Sequence, residues 1–197
     1  MSTDTLTQPW LVVIDMQTAF ADPDSVWGIP DYGTIEPVVS ELCERFAGRT
    51  VITRFVPDPE EPGQWAAYYD RWHSMRCSAN SPLWNVTIPV LPGTPMVTLP
   101  TFSKWGDQLD RITAGAPLTI CGVATDCCVL STALGAVDAG RAVTVVSDAC
   151  AGVSEEHHRA TLALLELLSP MIEIRSAAEL IGNTVRSGQI SRPGEQM

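Results

Sequence analysis

No apolar run in this 197-residue sequence approaches the roughly 20 residues that cross a bilayer. Residues 1–9 are polar and hold neither a basic cluster nor an apolar segment, so they do not read as a secretion signal. The expected location is the cytoplasm. Basic residues are scarce, with 12 Lys and Arg against 23 Asp and Glu and a net charge of −11. A surface of that sign repels phosphate backbones and anionic lipid. It argues against nucleic acid or membrane as partner and leaves a small-molecule substrate. Histidine is rarer still. His73, His157 and His158 are the whole set, and none follows a strand-like run, so a Cys–His dyad has no histidine to use. No C-x-x-C pair occurs, which removes the zinc-ribbon and thioredoxin-like readings of the six cysteines. In a reducing compartment those cysteines are free thiols.

What is present is an alternation of short apolar runs with helical spacing. Residues 10–14 (WLVVI) form an uninterrupted apolar run, the pattern of a strand covered on both faces. Further strands are expected at 50–56, 96–99, 118–123, 142–146 and 171–174. Helices fit between them. Ile35, Val38, Val39, Leu42 and Phe46 recur at helical spacing before Gly48. A second helix is expected over 125–139. A third opens at Ser154, whose Glu155 and Glu156 complement the helix dipole, and runs to Pro170. A last short one spans 176–181. Residues 57–95 break the rhythm with seven prolines and three tryptophans, and one helix is expected there near 64–73. The pattern predicts one α/β domain over 1–197, with flexible ends at 1–9 and 186–197. Helices should cover both faces of a parallel sheet, giving three α/β/α layers.

In open parallel sheets ligands bind beyond the carboxyl ends of the strands. The reactive side chains that directly follow strand-like runs are therefore the candidates. Asp15 ends the first run and Lys104 follows the third. Cys127 and Cys128 follow the fourth at a helix start, and Asp148 follows the fifth. Asp148 precedes a small-residue turn and reads as structural. A thiol in the first turn of a helix faces unpaired amides and the positive end of the dipole, and a nearby ammonium favours the thiolate further. A carboxylate at Asp15 can accept the thiol proton and pass it to a leaving amine. Position alone admits either Cys127 or Cys128. Cys43, Cys121 and Cys150 lie in or beside apolar runs and read as core. Gln17, Phe20, Trp65, Trp72 and Trp105 are candidate pocket residues, and Arg54 at the end of the second strand is a candidate partner for a substrate carboxylate.

Four segments resemble the isochorismatase-like cysteine hydrolase family, which includes nicotinamidases, N-carbamoylsarcosine amidases and isochorismatases. They are VVIDMQTAF at 12–20, TFSKWG at 101–106, CGVATDCCVLSTALGAVDAG at 121–140 and VTVVSDACAG at 143–152. The resemblance implies a six-stranded parallel sheet of order 3-2-1-4-5-6 in a Rossmann-like arrangement. It also implies an Asp15–Lys104–Cys128 triad, because the family nucleophile immediately precedes the Val. It further implies a cis peptide at Val123–Ala124, which turns the Ala124 and Cys128 amides toward an oxyanion, and a homo-oligomer, a dimer or tetramer. The Asp-x-His metal motif of nicotinamidases is missing after the second strand, where the sequence reads TRFVPDPE. Asp58, Asp70 and His73 have no ligand spacing, so neither metal nor cofactor is expected. Vinyl-ether isochorismatases generally lack the nucleophilic Cys. The expected activity is therefore hydrolysis of a C–N bond in a small amide, carbamoyl or ureido substrate through a thioester. The alternatives are vinyl-ether hydrolysis with Asp15 as acid, and a redox or non-catalytic thiol protein using Cys127 and Cys128.

Overall fold

The computed structural model describes residues 8–186. The flexible ends expected at 1–9 and 186–197 therefore fall almost wholly outside the described residues. Six strands form a single sheet of order β3-β2-β1-β4-β5-β6. They are β1 (Trp10–Ile14), β2 (Thr50–Phe55), β3 (Met96–Leu99), β4 (Leu118–Val123), β5 (Val143–Ala151) and β6 (Ile172–Arg175). Every neighbouring pair is parallel. The central strands are the most apolar because both of their faces are covered: β4 is buried at all six positions and β1 at four of five.

The helices are α1 (Thr18–Ala21), α2 (Tyr32–Arg45), α3 (Trp65–Arg71), α4 (Asp107–Thr113), α5 (Leu130–Asp138), α6 (Glu155–Glu166) and α7 (Ala177–Arg186). α2 packs on β1, β4 and β5 with α7 beside it, while α5 and α6 pack on β5 and against the turn that precedes α5. That turn, Thr125–Val129, is π-helical. The Cys127–Cys128 step thus opens on a widened turn, where a regular α-helix was expected.

Other differences have local causes. α2 begins at Tyr32 because the tyrosine is buried and its hydroxyl shares a 2.7 Å hydrogen bond with Thr87 Oγ1. β5 continues to Ala151, past the polar Ser147 and Asp148, because the ladder resumes at Gly122↔Cys150 and Val123↔Ala151 after a register irregularity. Asp148 accepts the Ala177 amide at 2.7 Å and so anchors the start of α7. α6 opens at Ser154, whose hydroxyl accepts the His157 amide, but stops at Glu166, four residues short of Pro170.

The chain builds β1, β2 and β3 outward in one direction and then returns to place β4 on the other side of β1. The carboxyl ends of β1 and β4 therefore flank the point where strand order reverses. Gly122 lets the two strands approach there. Its φ is +109°, and a Cβ on it would lie 2.1 Å from the Ile14 carbonyl oxygen, so no side chain fits.

Candidate active site

Asp15 follows directly on β1 with φ of 50°, in the left-handed region that Asp tolerates better than most residues. Its side chain is fully buried. Oδ1 accepts the Thr53 hydroxyl at 2.7 Å, while the Asp15 amide donates to the same Thr53 oxygen at 3.2 Å. Oδ2 lies 3.1 Å from Lys104 Nζ and has no hydrogen-bond partner among the described residues. One carboxylate oxygen is thus pinned to β2, and the other is held only by charge.

Lys104 is fully buried as well. Its ammonium donates to the Thr101 carbonyl at 2.6 Å and lies 4.6 Å from the centroid of the Phe55 ring. Its amide donates to Thr132 Oγ1 on α5, which fixes the loop after β3 against that helix. An ammonium with no access to water requires a compensating negative charge, and Asp15 supplies it.

The peptide between Val123 and Ala124 is cis. The π-helical turn that follows carries Cys127, half-buried, and Cys128, buried. The two thiols share a hydrogen bond and feel both Asp15 and Lys104. The hydrogen bond from Cys127, burial and the negative charge of Asp15 push the Cys128 thiol well above its usual range, with the Lys104 ammonium opposing them. The same hydrogen bond lowers Cys127, against burial and the charge of Asp126. As a pair, the thiols release one proton below the ordinary thiol range and hold the second above it. The helix start and the lysine were expected to lower Cys128 itself. Burial and its two neighbours outweigh them.

Of these groups Cys127 and Cys128 line a cavity of ≈ 410 Å³, while Asp15 and Lys104 are buried outside its lining. Ala124, Cys127 and Cys128 form its reactive side. Phe20, Trp27, Phe55, Tyr68, Trp72 and Phe102 supply aromatic walls, and Val26, Gly28, Ile29 and Val153 complete the lining. Of the candidate pocket residues, Phe20 and Trp72 line the cavity. Four other candidates do not. Gln17 is buried with its amide saturated: Nε2 donates to the Phe55 and Trp84 carbonyls at 3.1 and 3.0 Å, and Oε1 accepts the Phe55 amide at 2.8 Å. It ties α1 to β2. Arg54 points along the sheet to Thr98 Oγ1 on β3. Trp65 packs behind the wall, 4.9 Å from Phe102 between ring centroids. Trp105 lies against Gly135 of α5 and under the Arg141 guanidinium, outside the cavity.

Thr53, which holds Asp15, was missed. Its signal was a buried polar residue inside the apolar strand TVITRF. The wall residues Val26, Trp27, Ile29, Phe55, Tyr68, Phe102 and Val153 were also missed, because they lie on loops, on a strand end or, for Tyr68, on the short helix α3, where periodicity gives no signal.

Among the described residues no three His, Cys, Asp or Glu side chains converge as a metal-ligand set. Asp58 caps the Glu60 amide and Asp70 pairs with Arg76, so neither carboxylate fits a zinc site after β2. No helix among the described residues is long and apolar enough to cross a membrane.

Similar proteins share this arrangement of strands. A cysteine hydrolase from Pseudomonas syringae pv. phaseolicola 1448A superposes with a TM-score of 0.80 at 19% identity, covering 92% of this chain and 94% of that one. The N-carbamoylsarcosine amidase from Thermoplasma acidophilum matches with a TM-score of 0.66 at 21% identity over 86% of this chain and 96% of its own. The pyrazinamidase of Pyrococcus horikoshii, solved in complex with zinc, matches with a TM-score of 0.70 at 27% identity over 86% of this chain and 99% of its own. No curated protein matches the sequence. The family model for the isochorismatase domain matches residues 9–179, which takes in all six strands and every group of the site. The chain belongs to the isochorismatase-like family of hydrolases.

Proposed function

We propose that the protein hydrolyses a C–N bond of a small amide or carbamoyl compound through a thioester on Cys128. One observation carries this reading: a fully buried Lys104–Asp15 ion pair lies near enough to act electrostatically on Cys127 and Cys128, and those two thiols line a cavity that opens to the surface. A buried carboxylate oxygen held only by an ammonium suits proton transfer, because it has capacity left for a proton.

In the first step the Cys128 proton passes to Asp15 Oδ2 and the sulfur bonds to the substrate carbonyl carbon. The oxygen takes up negative charge facing the Ala124–Cys128 turn, where backbone amides can stabilise it. The C–N bond then breaks, and the Asp15 proton goes to the departing nitrogen. In the second step Asp15 takes a proton from water while its oxygen attacks the thioester. The C–S bond breaks and the proton returns to sulfur. Lys104 holds Asp15 in place and balances its charge. Cys127 shares a proton with Cys128 and leaves one of the two sulfurs anionic more readily than an isolated thiol would be.

Cys128→Ala is expected to lower kcat by at least about 10³-fold in an ammonia-release assay, the scale seen when a nucleophile is removed. Circular dichroism should remain that of the wild type. Cys127→Ala should retain turnover. The lowered thiol at Cys127 favours a second reading in which that sulfur attacks. Loss of activity in Cys127→Ala with retention in Cys128→Ala would establish it and overturn the assignment to Cys128.

A further inference from the structure

The cavity wall bears no side chain that could meet a charged substrate. Among the described residues its lining is aromatic and aliphatic apart from the two thiols, glycine and the Tyr68 hydroxyl, and holds no Lys, Arg, His, Asn or Gln. Lys104 is not part of the lining and is consumed by Asp15 and the Thr101 carbonyl, and the Arg71 guanidinium lies over the Trp72 ring, 4.9 Å from its centroid, without being part of the lining. Arg54, which could have received a substrate carboxylate, is turned to Thr98. Among the described residues, the single wall atom that is buried without a hydrogen-bond partner is Trp27 Nε1, a neutral donor. The apolar lining also continues to the surface. Val26 and Val153 line the cavity and are nevertheless 51% and 50% exposed, so they form its rim. At that rim the Val153 amide is not free for a ligand, because it donates to the Asp126 carboxylate at 2.9 Å. A carboxylate entering this cavity would lose water and find no charged partner on the described lining, only apolar surface and a few neutral donors.

We propose that the substrate is a neutral primary amide whose acyl group is a hydrocarbon, alkyl or arylalkyl, reaching from the thiols to the Val26–Val153 rim. Carboxylate-bearing ureido and carbamoyl amino acids are disfavoured. The proposal rests on the hydrolase reading above and narrows its substrate class. The reacting bond is the same: R–CO–NH₂ and water give the carboxylic acid and ammonia.

The test compares acetamide, propionamide, butyramide, hexanamide and phenylacetamide with N-carbamoylglycine. kcat/KM should rise about fourfold per added methylene, the factor that corresponds to burying one CH₂. N-carbamoylglycine should fall at least tenfold below hexanamide. Val26→Arg should narrow that gap by weakening hexanamide and admitting the anion. In parallel, hexanamide and N-carbamoylglycine are titrated calorimetrically into Cys128→Ala, which reads recognition without turnover. Tighter binding of hexanamide supports the proposal even where no ammonia is released by the wild type, an outcome that would overturn the hydrolase reading alone. A flat amide series, a preference for N-carbamoylglycine, or no binding of hexanamide to the variant overturns the substrate class.

Discussion

Asp15 and Lys104 show how one buried pair serves both stability and chemistry. Each is fully buried, so removing either charge leaves the other without solvent or a counter-charge. Lys104→Met is expected to destabilise the fold by about 3–5 kcal/mol, the usual cost of stranding a buried charge. Adding Asp15→Asn should recover much of that loss, because the orphaned charge goes too. Urea denaturation of the two single variants and the double variant measures this directly, and strictly additive losses would contradict it. Thr53 makes the complementary point. Its hydroxyl donates to Oδ1 and leaves Oδ2 as the free oxygen. Hydrogen bonds to charged groups contribute about 1.5–3 kcal/mol. Thr53→Val should therefore lower kcat roughly tenfold or more with KM little changed, and Thr53→Ser, which restores the hydroxyl, should recover kcat. Loss confined to stability, with normal kcat in the folded enzyme, would reduce Thr53 to a packing role.

At the level of elements, the site depends on how closely β1 and β4 run at their carboxyl ends. Gly122 sits opposite Ile14 in that ladder. With φ of +109° and the Ile14 carbonyl 2.1 Å from a built Cβ, any side chain must push the strands apart. Gly122→Ala should cost more than about 3 kcal/mol, placing it among the most damaging single substitutions. Activity should fall further than stability explains, because the same strand ends carry Asp15 and the Ala124 turn. Thermal melts with kcat measured well below Tm separate the two effects. The sequence made this geometry partly legible. The run WLVVI and the segment LTICGV announce central strands through unbroken apolarity, and the residues after them are the reactive ones. β5 was cut short because Ser147 and Asp148 interrupt its apolarity, although tertiary pairing carries the strand on to Ala151. α1 and α4, of four and seven residues, lack the length for periodicity to emerge. The cavity wall was the least legible part. Trp27 and Phe102 sit on irregular segments, and nothing in local pattern says that the Phe55 and Tyr68 rings come within 5.5 and 6.0 Å of Trp27. Gln17 looked like a site residue because it lies two positions after Asp15. Its amide is instead spent on backbone groups of β2 and the turn after Pro82.

The molecule as a whole keeps its cysteines as thiols, with none of the six in a disulfide, and buries most of them in the core. That choice sets its response to alkali. Burial, aided by Glu44, raises the Cys43 thiol from 9.0 to about 11. Burial, aided by Asp148 and opposed by a backbone hydrogen bond from Gly122, raises Cys150 to about 12. Burial holds Cys121 well above 9.0, with the neighbouring thiols adding to it. In the unfolded chain all three would ionise near the ordinary thiol value. The unfolded state therefore sheds protons first as pH rises through 9, and the native state keeps them. Stability is full below that value and falls as pH climbs toward the native pKa values, because fewer protons bound to the unfolded state favour unfolding. Each such thiol approaches a loss of about 1.4 kcal/mol per pH unit above 9. The net charge of −11 adds self-repulsion in the same direction, since every new thiolate enlarges it. Unfolding free energies from urea titrations between pH 8 and 10 should stay level up to about pH 8.5 and then decline with a steepening slope, to which the tyrosines of the unfolded chain add toward the upper end, because burial raises Tyr32, Tyr68 and Tyr69 in the native state. Cys150→Ala should flatten that decline by close to one proton while lowering stability at pH 7 through its small cavity. A slope identical in wild type and variant would mean that Cys150 ionises alike in the folded and unfolded chains, leaving the alkaline decline to Cys43, Cys121 and charge repulsion.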